Sequence, residues 1–193
     1  MKTLALILTV LAAAAANPTR ADEVTDALRE AYKLYENKDL SGATEKVREV
    51  LEKLEAKSAK LVGEVLPPKL GDWQGANASK ENTAFIGGGV SVANTYRKGN
   101  AEVTVKIIRD SPLMDGIAKL LSNKDVLKFS GLKTESIGGE TAVIQGEGAD
   151  ATLRLAVEGI LVEVKGGRGA DDSDLVAVAR KLDLNLLKKL AKP

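Results

Sequence analysis

Arg97, Glu102, Arg154 and Glu163 are the side chains whose types and spacing come nearest to a polar binding site in this sequence. Each Arg and Glu flank a short glycine-containing turn, Gly99-Asn100 in the first case and Glu158-Gly159 in the second, so hairpin pairing sets guanidinium opposite carboxylate. Two such pairs on one exposed sheet face would hold donors and acceptors for a ligand at fixed positions. Taken singly they are ordinary cross-strand partners, worth about 0.2–1 kcal/mol each. Trp73, the single tryptophan, and Tyr96 add flat apolar surfaces that either close a core or stack on a ligand. These six residues form the candidate ligand-binding set.

Other chemistry is narrowed by what the chain lacks. It has 193 residues with no cysteine and no histidine, which removes thiol nucleophiles, disulfides, His general bases, Ser-His-Asp triads and tetrahedral zinc sites. Asp171, Asp172 and Asp174 invite a calcium reading, but they lack the loop glycine and distal glutamate of an EF-hand, and acids at a helix start answer the helix dipole. Asp110 and Asp115 are the acids available to a hydrolase; capping and dipole compensation account for both. Gly87-Gly88-Gly89 would cradle phosphate between a strand and a helix N-terminus, whereas here a strand follows. The expectation is a non-enzymatic protein with no cofactor.

The first 21 residues read as a cleaved secretory signal: Lys2, the apolar run LALILTVLAAAAA, Pro18, and a small-x-small site ending at Ala21. The run is shorter than the ~20 residues of a spanning helix, and no later segment is long and apolar enough to span. Without this segment the chain holds 26 basic and 27 acidic residues, so no strong field draws nucleic acid. The expected location is the periplasm, with the protein soluble and not membrane-spanning.

The elements that must position the candidates follow from periodicity. Val24, Ala27, Leu28, Ala31, Leu34 and Tyr35 predict a first helix. Val47, Leu51, Leu54, Leu61 and Val65 predict a second, with Ser41 as its cap and Pro67-Pro68 as its stop. The 22–66 segment is thus a helical hairpin arm. Its second helix also carries heptad spacing, which offers a homodimer through residues 43–66, although the first helix is a nearer partner for that face. Residues 67–84 read as a linker loop with Trp73 inside it.

From residue 85 to 193 the pattern is strands and helices. In the Val90 to Arg109 hairpin, Arg97 faces Glu102, Tyr96 faces Val103 and Val92 faces Ile107, and one face gathers Val90, Val92, Tyr96, Val103, Val105 and Ile107. Ser111 and Pro112 open a short helix with Leu113, Ile117, Leu120 and Leu121 on its apolar side. A second hairpin spans residues 152–165, and a C-terminal helical segment follows, capped by Asp172 or Ser173, with a last turn capped by Asp183. The fold class is α+β: an antiparallel sheet of hairpins packed on helices, preceded by a helical hairpin.

Two resemblances accompany this reading. Residues 34–43, LYENKDLSGA, look like the turn of a single tetratricopeptide-type unit, with Ala31 in one helix and Ala43 in the next. Over about residues 70–190, Gly87 to Gly89, Tyr96 to Gly99 and Asp110 to Pro112 make the chain similar to Mog1/PsbP-like domains and to secreted proteobacterial periplasmic proteins. The residues favour a periplasmic accessory protein that binds another envelope protein through its helical hairpin or an exposed sheet face. The alternative is a small-ligand or lipid carrier, binding between sheet and helices near Trp73.

Overall fold

The glycine-containing turns set the frame of the molecule. Gly99 takes φ 58°, and Glu158 and Gly159 take φ 49° and 86°, the positive values that tight hairpin turns require. In the computed structural model, which describes residues 22–123, 125, 127 and 132–191, these turns give β4 (Val90–Lys98) paired with β5 (Ala101–Arg109) and β8 (Thr152–Val157) paired with β9 (Ile160–Gly166). The expected signal segment lies outside the described residues. Arg97 pairs with Glu102, Tyr96 with Val103, and Arg154 with Glu163, the registers read from the sequence.

The hairpins are neighbours. β5 pairs antiparallel with β9, setting Ile107 beside Val162, Val105 beside Val164 and Lys106 beside Glu163. β7 (Glu140–Gln145) adds to β8, and β6 (Lys133–Ile137) forms the edge beyond it. On the other side lie β2 (Trp73–Gly75) and β1 (Lys69–Leu70), while β3 (Ser79–Lys80) pairs separately with β4, making a nine-stranded antiparallel sheet. The fold is therefore α+β, as the alternation of apolar and polar residues implies.

The stretch 67–84, expected as a linker loop, carries β1, β2, β3 and the start of a 3-10 turn, Ala84–Ile86. Side chains of β4 hold this stretch. Asn94 Nδ2 donates to the Ala76 carbonyl at 2.8 Å, and the Tyr96 hydroxyl donates to the Pro67 carbonyl at 2.9 Å. A Cβ at Gly75 would stand 2.8 Å from the Tyr96 ring, so only glycine fits there.

Contacts divide the chain into two compact units, one ending at Leu51 and the other beginning at Glu52. The first holds α1 (Glu23–Glu36) and the first half of α2 (Leu40–Gly63). Asp22 caps α1 by accepting from Thr25 N at 3.0 Å. Asp39, rather than Ser41, serves the start of α2, accepting from Gly42 N at 2.9 Å, because the turn places its carboxylate over the unpaired amide. Lys46 bridges Glu49 at 2.9 Å and Glu30 at 3.0 Å, and those carboxylates raise its ammonium pKa.

This unit's small core is Val24, Ala27 and Val50. The heptad residues Val47 and Leu51, expected to have the first helix as their nearer partner, are instead 55% exposed. Val50 and Ala43 are the buried positions of α2 in this unit.

In the second unit the inner sheet face, from Val90 and Val92 through Val103, Val105 and Ile107 to Val162 and Val164, is covered by three helical segments. These are the end of α2 (Ala59, Val62), α4 (Asp172–Ala179) and α5 (Leu184–Ala191). Asp171 is the cap of α4, in a reciprocal box with Asp174, one residue before the expected Asp172. Asp183 accepts from Leu186 N at 2.9 Å, as a cap of α5. On the outer face α3 (Pro112–Ser122) packs Ala118 and Leu121 against Ile108, Ala156 and Leu161, with Ile86 and Leu127 in the same cluster.

Burial, opposed by the Asn94 contact, pushes the Tyr96 hydroxyl pKa up to about 12. The unfolded chain therefore releases this proton first as pH rises, and stability falls between pH ~10 and ~12 by about 2 kcal/mol. Tyr96→Phe is expected to cost about 1 kcal/mol at neutral pH and to flatten that alkaline fall, read from urea unfolding at a series of pH values.

Candidate functional site

The β5–β9 pairing brings both Arg–Glu pairs to the outer face of one sheet, since Arg97, Glu102, Lys106, Glu163 and Arg154 share the same side of the pleat. They are not equivalent. Arg97 Nε meets Glu102 Oε2 at 2.7 Å, but the Arg97 side chain is 67% exposed near the turn. Arg154 Nε meets Glu163 Oε2 at 2.7 Å with exposures of 31% and 22%.

The second pair belongs to a longer row across the strands. Lys106 Nζ lies 2.8 Å from Glu81 Oε2, Glu163 is its cross-strand neighbour on β9, and Arg154 donates onward to Gln145 Oε1 at 2.8 Å. The order Glu81, Lys106, Glu163, Arg154, Gln145 alternates sign, with two cations offset by two carboxylates. Lys106, Glu81 and Gln145 escape sequence reasoning because the row exists only once β5 lies beside β9 and β7 beside β8.

This row borders a cavity of about 400 Å³ between α3 and the sheet. Its apolar wall comes from Met114, Ile117 and Leu121 of α3 and from Ile108, Val143 and Leu161 of the strands. Ser111, expected as a helix cap, makes no capping bond; its hydroxyl donates to the Ile86 carbonyl at 2.7 Å and ties the start of α3 to the 3-10 turn. Ile86, also in the wall, is thereby fixed.

Trp73 and Tyr96 lie elsewhere. Both belong to the inner-face core, at 3% and 0% exposure, with Lys98 Nζ 6.0 Å from the indole centroid. Trp73 is thus a core side chain rather than a stacking platform, because β2 packs it under the sheet.

At the start of α4, Asp171 is held by local bonds and Asp172 by a lysine from β6, with Asp172 Oδ1 buried and without a hydrogen-bond partner among the described residues. Asp171 accepts from the Ser173 hydroxyl at 2.6 Å and from Asp174 N at 3.0 Å, and these bonds lower its pKa. Asp172 Oδ2 takes Lys133 Nζ at 2.6 Å, a bond that raises the lysine pKa. Among the described residues no group of three or more acids is placed to hold a metal ion. A neighbouring ion pair, Arg180 to Glu135 at 3.3 Å, also joins α4 to β6. Gly87, Gly88 and Gly89 take φ 83°, 96° and 87°, a backbone that favours glycine, and a Cβ on Gly89 would stand 2.5 Å from the Arg109 carbonyl oxygen, so Gly89 also serves the close approach to β5. Asp110 pairs with Arg109 at 2.8 Å and is 63% exposed.

No protein-family model matches this chain, and neither a curated protein nor a solved structure matches it at a significant level. The site is therefore read from its own geometry.

The two Arg–Glu pairs should separate in unfolding experiments. Arg97→Ala is expected to cost no more than about 0.5 kcal/mol, since exposed pairs contribute little. Arg154→Ala leaves Glu163 and Gln145 without their shared donor and is expected to cost about 1–2 kcal/mol. Urea midpoints of the two variants check the order.

Proposed function

We propose that this chain is a non-catalytic binding protein of the periplasm that recognises another envelope protein through the α1–α2 hairpin. The observation that carries the reading is the amount of apolar surface the hairpin leaves uncovered. Leu28, Tyr32 and Tyr35 of α1 are 50%, 61% and 63% exposed, and Leu40 and Val47 of α2 are 63% and 55% exposed. Together with Ala31 and Ala43 they line a groove of about 650 Å³.

The hairpin's own core is three side chains, two of them valines and one an alanine. Larger apolar groups thus face solvent while smaller ones are buried, the reverse of what a helix pair evolved for isolation presents. Singly exposed apolar residues need no explanation; five on one groove, two of them tyrosines, have the composition of an interface core. A groove between two antiparallel helices accepts a third helix by ridge-into-groove packing. The expected occupant is an amphipathic helix of the partner, the role that the next unit plays for a tetratricopeptide-type hairpin.

The absence of Cys and His from the sequence supports binding over catalysis. The periplasmic location rests on the signal-like residues 1–21. Among the described residues no helix is long and apolar enough to cross a membrane.

A photo-crosslinking residue at Tyr32, introduced into the whole chain in its source cell, tests the reading. The expected product is one protein joined through an amphipathic helix, lost in the Leu28→Lys, Tyr35→Ser, Val47→Lys variant while the urea midpoint of the sheet unit is unchanged. A crosslink only to a second copy of the hairpin, or a triple variant that still captures the partner, would sink it.

A further inference from the structure

The cavity beneath α3 ends in a polar row that the docking reading does not use, and we propose that it binds a single-chain amphiphile with an uncharged, hydrogen-bonding head, of the monoacylglycerol kind. The cavity lies wholly within the unit beginning at Glu52, apart from the hairpin groove. At about 400 Å³ it falls in the range of small-molecule sites, and its walls are largely apolar, with a few convergent polar groups at one side.

The chain-like shape of the ligand follows from the lining. Met114, Ile117 and Leu121 on the helix and Ile108 and Leu161 on the strands line it, which makes a slot between two apolar layers. Ile117 and Leu120 both line the cavity while remaining 37% and 53% exposed, so its entrance is apolar as well. A flexible hydrocarbon chain satisfies such a slot without stranding any polar atom.

The head follows from the charge balance. Lys106 and Arg154 are both near the cavity, and each is already neutralised, by Glu81 at 2.8 Å and by Glu163 at 2.7 Å. A carboxylate or an ammonium brought against this row would leave one partly desolvated charge without compensation. A neutral head with hydroxyl and ester oxygens meets no such penalty. Of the five N–H donors on a guanidinium, the bonds from Arg154 to Glu163 and Gln145 use two, and Ser91 Oγ lines the same end. Ester and hydroxyl oxygens can accept from the remainder.

Titration calorimetry of the whole chain with 1-monodecanoylglycerol, kept below its aggregation concentration, tests this together with methyl NMR. The expected result is saturable one-to-one binding, with shifts at Ile108, Met114, Ile117 and Leu161. Met114→Trp, which fills the slot, should weaken binding at least tenfold, and Ile117→Glu, at a partly exposed position, should do the same with an unchanged unfolding midpoint. Decanoate and decylamine should bind at least fivefold more weakly than the ester, a preference that Arg154→Met reduces. Absence of saturable binding, binding undiminished in both cavity variants, or charged chains binding as well as the neutral one would overturn the proposal.

Discussion

The pairing of β5 with β9 is the constraint on which the sheet unit depends. It joins two hairpins some fifty residues apart in the chain, and its register decides what lies on each side. Ile107 beside Val162 and Val105 beside Val164 unite two apolar rows into one inner face, while Lys106 beside Glu163 unites two polar rows outside. A slip of one residue would send valines outward and charges into the core. The helices α4 and α5 have a continuous surface to cover only because this register holds, and the outer row of alternating charge exists for the same reason.

The two faces are treated unequally. Inside, three helical segments seal a core that runs from Ala59 to Leu187. Outside, a smaller cluster joins Ala118 and Leu121 of α3, with Ile86 and Leu127, to Ile108, Ala156 and Leu161. At the margin of α3 the strands turn from apolar residues to Lys106, Glu163 and Arg154. The cavity therefore lies at the boundary between an apolar and a polar half-face.

Both strand registers were legible in the sequence because turn chemistry and cross-strand pairing agreed: Gly99-Asn100 set the first, Glu158-Gly159 the second, and charge met charge in each. What local pattern cannot carry is adjacency between distant strands, which is why Arg154 and Glu163 were recognisable as candidates while Lys106, Glu81 and Gln145 were not. The strands in 67–84 escaped notice because they are two or three residues long and are held from outside, by Asn94 and Tyr96, rather than by their own alternation. The orientation of α2 was misread for another reason. Periodicity gives the same weight to every leucine and valine, yet Val50 is the one packed in the first unit's core while Val47 and Leu51 are exposed.

The margins of the sheet have a consequence of their own. Open strand edges invite other chains to add on by main-chain hydrogen bonding, the first step toward fibrils. Here one border is β1, only two residues long, and the other is β6, whose sequence Lys133-Thr134-Glu135-Ser136-Ile137 is rich in charge and tethered by ion pairs to α4. Neither border presents a long, flat apolar template. A chain with no disulfides to keep it intact thus has protection against polymerising through its sheet, and newcomers to this protein must find helices or cavities rather than a free strand.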